Sequence, residues 1–446
     1  MGHLSFLTRA EIESLGPPTP EDLEEIGVSE SFLRDLSLKY VAWLPEAKSA
    51  TVAEKLHLPR ELTEEILYRL YREKLIEMRH QSAVGATRYA MLDQGWERLV
   101  RMESENGYRG PTPVSLADYS HMMRLQAAPS RPASIETVRA AFSDLVLPES
   151  LLQTLGCVIN SRSSLFLTGL PGSGKTAVSE RINATLAGSI WVPYAVEVDG
   201  HVIRVFDSRY HQAIPKKPSA REYDRRWVEI KRPLIRVGGE LTLENTALVW
   251  SETSKFYEAP FQMKANGGTL IIDDFGRQSV PTESLLNRWI QPLERRVDFL
   301  TLNNGNKIEV PFEQLVVFAT NFDEKEIVDE AFLRRLGYRA RIEMPTAAAY
   351  LEIFKRAASA TAITLDEVSL NYVLDKYVAE KRTMKPCEPR DLLNRVNDLC
   401  RFEGRPFHLT PEVVDIAWRN YFGAAHYFEY SPDAATVEQT RAVVAS

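Results

Sequence analysis

The segment Gly169–Thr176 constrains the fold of this chain more than any other part of the sequence. It lies in SLFLTGLPGSGKT, where the apolar run Leu165–Leu167 precedes Gly169-x-x-x-x-Gly174-Lys175-Thr176 and the helix-forming sequence AVSERINATL follows. Glycine at positions 172 and 174 lets consecutive backbone N–H groups turn inward at the positive end of a helix. A strand, a glycine-rich loop and a helix in this order predict a loop that cradles phosphate groups.

Each residue of this loop has a predicted part in binding ATP and Mg²⁺. Lys175 reaches the β- and γ-phosphates, and the Thr176 hydroxyl ligates Mg²⁺. The predicted nucleotide-binding residues are Gly169, Pro171, Gly172, Ser173, Gly174, Lys175 and Thr176.

A second apolar strand ends in two carboxylates. In GGTLIIDDFG, the run Leu270–Ile272 is followed by Asp273 and Asp274. Ligands bind at the carboxyl ends of strands in parallel sheets, so we predict Asp273 as a metal ligand. Asp274 is predicted to polarise an attacking water molecule.

Three further segments carry candidate catalytic side chains. The strand Leu315–Ala319 leads to Asn321, whose amide can hydrogen-bond a γ-phosphate and orient water. A predicted helix in DEAFLRRLGYRARIEM ends at Arg334 and Arg335, and CEPRDLLNRV opens another helix with Arg390. Taken singly, an arginine at a helix end is more typical of a partner for the helix dipole or a surface charge.

Together and in this order, these segments resemble the AAA+ ATPase superfamily over residues 134–430. The resemblance implies an α/β core with a parallel sheet, a C-terminal α-helical lid and a homo-oligomeric ring, most often a hexamer. It also implies that Asn321 is the sensor 1 residue, Arg334 or Arg335 the arginine finger, and Arg390 the sensor 2 residue. Many AAA+ proteins have Glu where this chain has Asp274, so the shorter side chain implies slow hydrolysis.

Two additions to the core indicate which branch of the AAA+ superfamily the chain resembles. A hairpin is predicted in RRVDFLTLNNGNKIEVPF, before the sensor 1 strand, as in the pre-sensor-1 hairpin branch. Residues 191–262 form an insertion with a second hairpin turned at Asp199–Gly200, similar to insertions in MoxR-like ATPases and in bacterial enhancer-binding activators. The activators' GAFTGA motif is missing. The sequence looks most similar to predicted chaperone ATPases associated with Flp or type IV pilus assembly.

Within the insertion, residues 204–236 hold ten Lys/Arg and four Asp/Glu among several aromatic residues, namely Phe206, Tyr210, Tyr223 and Trp227. This pattern fits a nucleic-acid or acidic-peptide surface and equally a subunit interface or solvated loop. Phe256 and Tyr257 are candidates for pore-loop aromatics, although a buried pair is the commoner arrangement.

Composition shifts divide the rest of the chain. Residues 1–30 carry one Arg and seven Asp/Glu and are predicted to form a flexible acidic arm. Residues 31–106 resemble a winged helix-turn-helix domain, 107–133 read as a linker, 134–344 as the core, 345–430 as the lid and 431–446 as a tail. The winged-helix segment 31–100 has 11 basic and 10 acidic residues, which favours a protein adaptor over DNA binding.

The whole chain has 446 residues and a net charge of -7, and no apolar run approaches a membrane span. Three scattered cysteines and the absence of a signal peptide predict a cytoplasmic location. The function predicted is an ATPase that remodels a protein partner, chaperone-like, in pilus or secretion assembly. The alternative is an ATP-switched DNA-binding regulator or initiator, with nucleic acid as the less favoured partner.

Overall fold

The computed structural model describes residues 3–79, 87–127, 131–215, 223–323, 334–361 and 363–423. The chain divides into two compact units. The first comprises residues 1–141, 149–168 and 176–341, and the second comprises 142–148, 169–175 and 342–446. In the described ranges, no helix has the length and apolar character needed to cross a membrane.

The N-terminal part of the first unit is mainly helical. Its elements are α1 (Arg9–Leu15), α2 (Glu30–Trp43), β1 (Ala47–Lys48), α3 (Ser49–Leu56), α4 (Arg60–Arg72), β2 (Ile76–Arg79), β3 (Arg88–Met91) and α5 (Asp93–Glu105). The three strands form an antiparallel sheet in the order β1-β3-β2. Helix α4 buries Leu62, Ile66, Leu67 and Leu70, as its 3.6-residue spacing predicts. In the winged helix-turn-helix that residues 31–106 resemble, the wing would be the segment QSAVGAT at 81–87, and this segment lies outside the described residues except for Thr87.

The first thirty residues differ from the predicted flexible arm. Leu4, Ile12 and Ile26 are at most 2% exposed, and the Leu4 N–H donates to Asp118 Oδ1 at 2.9 Å. The prediction rested on the acidic residues and gave no weight to the apolar residues between them. Burial of those apolar residues holds the segment against the rest of the first unit.

The predicted linker 107–133 also differs, because it contains β4 (Val114–Ser115) and α6 (Leu116–Ala127). Helix α6 buries Tyr119, Met122 and Met123 in the same hydrophobic cluster as Leu4 and Ile12. Proline and serine at both ends of this segment are typical of a linker, but the intervening residues have the apolar spacing of a packed helix.

The chain then enters the α/β part of the first unit. Its elements up to the insertion are α7 (Ile135–Ala141), α8 (Glu149–Ser161), β5 (Leu165–Gly169) and α9 (Lys175–Ala184). The insertion contributes β6 (Ser189–Pro193), β7 (Ala195–Val198), β8 (His201–Arg204) and β9 (Trp227–Lys231). The later elements are β10 (Leu234–Val237), β11 (Val249–Ser251), β12 (Phe256–Glu258), α10 (Phe261–Lys264), β13 (Thr269–Ile272), α11 (Thr282–Arg295), β14 (Val297–Thr301), β15 (Lys307–Pro311), β16 (Leu315–Thr320) and β17 (Tyr338–Ile342).

A five-stranded sheet in the order β10-β13-β16-β5-β17 forms the centre of this region. The pairs β10–β13, β13–β16 and β16–β5 are parallel. Every residue of β5, β13 and β16 is buried, as expected for a parallel sheet covered on both faces. The α/β class and the parallel sheet predicted from the sequence are therefore confirmed.

Four strands of the insertion and β4 form a second five-stranded sheet, in the order β11-β12-β8-β7-β4. Strands β7 and β8 are joined at Asp199 and Gly200, whose φ angles are 51° and 80°, so the predicted tight turn is confirmed. Ala195 and Val202 from this hairpin are buried in one hydrophobic cluster with α2, α3 and α4. The N-terminal helices and the insertion thus share a core.

The predicted hairpin before β16 is present as β14 and β15, which pair antiparallel. Asp298 in β14 is buried and accepts two hydrogen bonds from the Arg288 guanidinium of α11, at 2.6 and 2.7 Å. This bidentate ion pair fixes the hairpin to helix α11.

The C-terminal part of the second unit contains α12 (Ala347–Ser359), α13 (Glu367–Ala379), α14 (Glu388–Glu403) and α15 (Pro411–Phe422). Thr346, Asp366 and Thr410 cap three of these helices through side-chain oxygens. A buried chain of hydrogen bonds runs from the Tyr350 hydroxyl to the Tyr377 hydroxyl and on to Glu388 Oε2, at 2.7 and 2.8 Å.

Candidate nucleotide-binding site

The glycine-rich loop connects β5 to α9, as the sequence predicts. Gly172 and Gly174 have φ angles of 84° and 95°, in the left-handed region that L side chains rarely adopt. A methyl group at Gly172 would also lie 2.8 Å from Cys387 Sγ and 3.2 Å from Lys385 Cδ. A side chain at position 172 would therefore meet both backbone strain and a steric clash.

Two polar side chains of the loop are buried and suited to bind an anion. Lys175 is 7% exposed, and its Nζ donates to the Gly169 and Leu170 carbonyls at 2.9 and 3.1 Å. Ser173 Oγ is buried and has no hydrogen-bond partner among the residues that the structure describes. The first N–H groups of α9 lack intrahelical acceptors, as at the start of any helix. Phosphate oxygens would satisfy these donors, so the loop fits the predicted ligand.

Thr176 and Asp273 meet in the arrangement predicted for a metal site. Thr176 lies in the first turn of α9, Asp273 follows β13, and the Thr176 hydroxyl donates to Asp273 Oδ2 at 2.9 Å. A hydroxyl and a carboxylate are oxygen ligands of the kind that Mg²⁺ binds. No cluster of three or more His, Cys, Asp or Glu suited to a metal occurs in the described ranges. A Mg²⁺ held by Thr176 and Asp273 would also be expected to bind water and phosphate oxygens.

Asp274 and Asn321 are also brought together. Asn321 directly follows β16, the neighbour of β13, and its Nδ2 donates to Asp274 Oδ1 at 3.1 Å. Asp274 has a φ of 48°, and its exposed carboxylate directly follows Asp273, the predicted metal ligand. The next residue, Phe275, is buried against Phe166 and Phe318 and anchors the turn in the core. The amide is thus placed to orient the carboxylate predicted to act on water.

Sequence reasoning missed Gln278 in the same turn. Its side-chain amide bonds to the backbone of Gly276 and lies near the carbonyls of Asp273 and Asp274. No short motif marks such a residue, since its contacts depend on how the turn folds.

The three predicted arginines lie at different places. Arg334 is exposed, and Arg335 Nε donates to Glu294 Oε1 at 2.5 Å, both in the turn before β17. The first residues of the helix predicted before them lie outside the described ranges. Arg390 lies in the first turn of α14, where its side chain is 74% exposed and pairs with Asp391 at 3.4 Å. In the second unit, Lys385 and Cys387 contact the loop at Gly172, and burial raises the pKa of the Cys387 thiol.

In the described part of the insertion, the aromatic side chains are packed inward and two of the arginines are buried, whereas the other described basic side chains are exposed, namely Arg204, Arg209, Arg225, Lys231 and Arg236. Trp227 is 1% exposed, and Tyr223 packs on Trp191 with ring centroids 4.8 Å apart. Arg226 is buried with Asp224, and Arg232 is buried among backbone carbonyls. Packing and internal ion pairs use these residues, which favours the structural alternative over stacking on nucleic acid.

The candidate pore aromatics are in strand β12. Tyr257 is 2% exposed, and its hydroxyl accepts a hydrogen bond from the Asn303 N–H at 2.6 Å. Phe256 is half-buried against Tyr108 and beneath the Arg204 guanidinium. The buried alternative therefore holds for Tyr257.

Comparison with known proteins gives limited matches. Residues 346–420 match a family described as a domain of unknown function, DUF8689. No curated protein matches the chain. Among solved structures, the Holliday junction branch migration motor RuvB of Thermotoga maritima is 15% identical over 66% of this chain and 73% of its own, with a TM-score of 0.35. NtrX from Brucella abortus in complex with ADP is 16% identical over 63% of this chain and 57% of its own, with a TM-score of 0.39. TM-scores below 0.5 do not establish a shared fold.

Proposed function

We propose that this chain is an AAA+ ATPase that binds ATP with Mg²⁺ and hydrolyses it to remodel a protein partner. The observation that carries the proposal is the pair of contacts Thr176–Asp273 and Asn321–Asp274, in which Thr176 directly follows the glycine-rich loop in the chain. These four polar side chains lie at the carboxyl ends of the parallel strands β13 and β16 and in the first turn of helix α9. This convergence is what in-line hydrolysis of a phosphoanhydride needs.

In the proposed mechanism, the N–H groups of the loop and of the start of α9 bind the phosphate oxygens. Lys175 exchanges its loop carbonyls for the β- and γ-phosphates. Thr176 and Asp273 would hold Mg²⁺, which would supply positive charge to the phosphate oxygens. Asp274 accepts a proton from a water molecule as the water oxygen bonds to the γ-phosphorus. The bond from that phosphorus to the β,γ-bridging oxygen breaks and releases ADP, and Asn321 keeps the carboxylate oriented.

Two substitutions test this assignment. Lys175→Ala removes the cation of the loop and is expected to abolish binding of a fluorescent ATP analogue. Asp274→Asn is expected to bind the analogue normally and to lower the rate of phosphate release by about 100-fold or more, since it cannot accept the proton. Glu252→Gln, a surface change far from the loop in sequence, is the control and should match the native chain.

Two results would contradict the assignment. Unchanged analogue binding by Lys175→Ala would remove the loop as the nucleotide site. Native rates from Asp274→Asn would show that another group activates water.

We infer that the helical segment 31–106 acts as a winged-helix adaptor that contacts protein. On α4, Arg60 pairs with Glu64 at 2.7 Å, and Arg69 pairs with Glu65 and Glu30 at 2.6 and 2.7 Å. Cations held by neighbouring carboxylates are poorly placed to neutralise DNA phosphates. This observation supports a protein partner over the DNA-binding alternative.

The partner can be identified by capture. The Asp274→Asn chain, saturated with ATP, is expected to retain a protein partner that is released without nucleotide. If the partner is a pilus or secretion component, the capture names it. DNA-stimulated ATP hydrolysis that declines steeply with salt would instead favour the regulator.

We further propose that the chain forms a homo-oligomeric ring. In this ring, Arg334 or Arg335 completes the nucleotide site of a neighbouring subunit, and Arg390 contacts the nucleotide as the sensor 2 residue of the lid. Sedimentation of the Asp274→Asn chain with and without ATP tests the ring. Mixing Asp274→Asn subunits with Arg334→Ala or Arg335→Ala subunits tests the finger, since mixed rings would regain hydrolysis only if it acts between subunits.

A further inference from the structure

The turn between β13 and α11 has an unusual backbone conformation. Asp274 and Gly276 have φ angles of 48° and 97°. Backbone hydrogen bonds connect the turn to strands β10 and β16. The Asp273 N–H donates to the Val237 carbonyl of β10, and the Phe275 N–H donates to the Ala319 carbonyl of β16, each at 2.8 Å. A left-handed conformation at a residue other than glycine costs on the order of 1 kcal/mol. Further contacts must offset this cost at Asp274.

The Gln278 side chain makes those contacts. Its Oε1 accepts a hydrogen bond from the Gly276 N–H at 2.9 Å. Its Nε2 lies 3.3 Å from each of three carbonyl oxygens, those of Gly238, Asp273 and Asp274. Carbonyl oxygens only accept, so the two N–H groups of the amide must face them, and this fixes the orientation of the side chain.

These contacts connect the catalytic turn to the strand beside it. Gly238 directly follows β10, the neighbour of β13. The Asp273 carbonyl belongs to the peptide unit before the Asp274 Cα atom, and the Asp274 carbonyl belongs to the peptide unit after it. The orientation of these two peptide units sets the φ and ψ angles of Asp274. One side chain thus restrains the peptide units that determine where the Asp274 carboxylate points.

We propose that Gln278 is a positioning residue that holds Asp274 in its left-handed conformation, with the carboxylate against Asn321. This inference rests on the proposed ATPase function and deepens it. Gln278 acts through the backbone of the turn, so its loss leaves the loop that binds the phosphates intact. The effect is therefore on turnover and not on the affinity for ATP.

The variant Gln278→Glu separates the two halves of the amide. The carboxylate keeps an acceptor for the Gly276 N–H but loses both donors to the three carbonyls. We expect kcat to fall about tenfold, as for other supporting contacts around an active site. KM for ATP should stay within about twofold of native, since the ground-state binding groups are unchanged.

The pH profile gives a readout that a structural role alone would not move. When the carboxyl introduced by Gln278→Glu is protonated, its O–H can again donate to a carbonyl of the turn. Three carbonyl oxygens beside that carboxyl disfavour its charged form, so we expect its pKa to lie above the ordinary value for glutamate. The ratio of variant to native kcat is expected to rise as the pH is lowered from about 8 to about 6.

Gln278→Met is the matched control, since it fills similar space with no strong donor at any pH. It should lose kcat to a similar degree and show no recovery at low pH. Equal kcat in the Gln278→Glu and native chains, a parallel loss of ATP affinity, or identical pH profiles for the two variants would overturn the inference. A native chain that hydrolyses no ATP would overturn the proposed function as well, so the two failures are distinguishable.

Discussion

At the residue scale, the sequence predicts those parts of the site whose chemistry depends on residue type at fixed spacing. The loop from Gly169 to Thr176 and the acid Asp273 belong to this group, because a phosphate cradle and a metal ligand each need particular backbone freedom or particular oxygens. Thr176 and Asp273 lie 97 positions apart and make the expected contact. Gln278 could not be predicted, since its contacts arise only when Asp274 adopts a left-handed conformation.

The loop glycine allows a sharp test at this scale. Gly172→Ala would strain a backbone with φ of 84° and place a methyl group 2.8 Å from Cys387 Sγ. We expect at least a tenfold weaker affinity for a fluorescent ATP analogue, equal to about 1.4 kcal/mol of binding free energy.

Gly404→Ala is the control for this substitution. Gly404 also has a positive φ, 63°, but a methyl group there would meet no atom within 4 Å. It shares the conformational strain without the contact at the loop. Equal loss of ATP affinity in both variants would show that global strain, not the loop, determines the effect.

At the element scale, the strands and helices that carry the site were predictable because periodicity and turn residues are local signals. The hairpin turned at Asp199 and Gly200 is an example, since its turn residues specify the conformation. The role of the insertion was not predictable from composition. A count of positive charges cannot show that Arg226 lies buried against Asp224 or that Trp227 lies in the core.

A buried ion pair in the insertion makes the stability of this element depend on pH. Lys264 of α10 is 5% exposed, and its Nζ donates to Asp207 Oδ2 at 2.9 Å. Hydrogen bonds from Arg209, and then from Lys264, hold the pKa of Asp207 well below its ordinary value of 3.8. A depressed folded-state pKa contributes stability that is present above 3.8 and is lost as the pH falls below it.

Asp207→Asn is expected to lower the free energy of unfolding at pH 7 by about 3 kcal/mol, because it leaves the buried Lys264 ammonium with only the more distant Glu258 carboxylate, at 3.7 Å, as an anion partner. Urea unfolding at pH 7 measures this change. The difference between native and variant chains should shrink as the pH falls below 3.8, where Asp207 of the unfolded native chain is protonated while the folded carboxylate stays charged. Glu252→Gln breaks an exposed pair with Lys255 and should leave the midpoint unchanged. A difference from native that stays constant down to pH 2 would contradict the assignment.

At the scale of the whole molecule, composition gave the wrong picture of the first thirty residues. A segment with one Arg and seven Asp/Glu has the composition of a mobile arm. Its few apolar residues decide the outcome, because Leu4 and Ile12 lie in the same hydrophobic cluster as Trp191 and Met122. Such long-range packing leaves no local signal in the sequence.

One substitution distinguishes a packed segment from a mobile arm. Ile12 is 1% exposed, so Ile12→Asp would bury a carboxylate without a partner. We expect the free energy of unfolding to fall by about 3 kcal/mol or more in urea titrations. Val100→Asp, at a position that is 71% exposed in the same unit, is the control and should have little effect. Identical midpoints for both variants would restore the mobile arm.

The core shared by the N-terminal helices and the insertion changes how a partner would be selected. A domain on a flexible tether searches a volume set by the length of the tether, and many arrangements of the partner satisfy it. Here Ala195 and Val202 are buried among α2, α3 and α4, and α6 replaces the tether. A partner bound to α4 must therefore fit a fixed distance and angle to the insertion. Lengthening the connection before α6 would therefore disturb the binding of such a partner and would not extend the reach of the N-terminal helices.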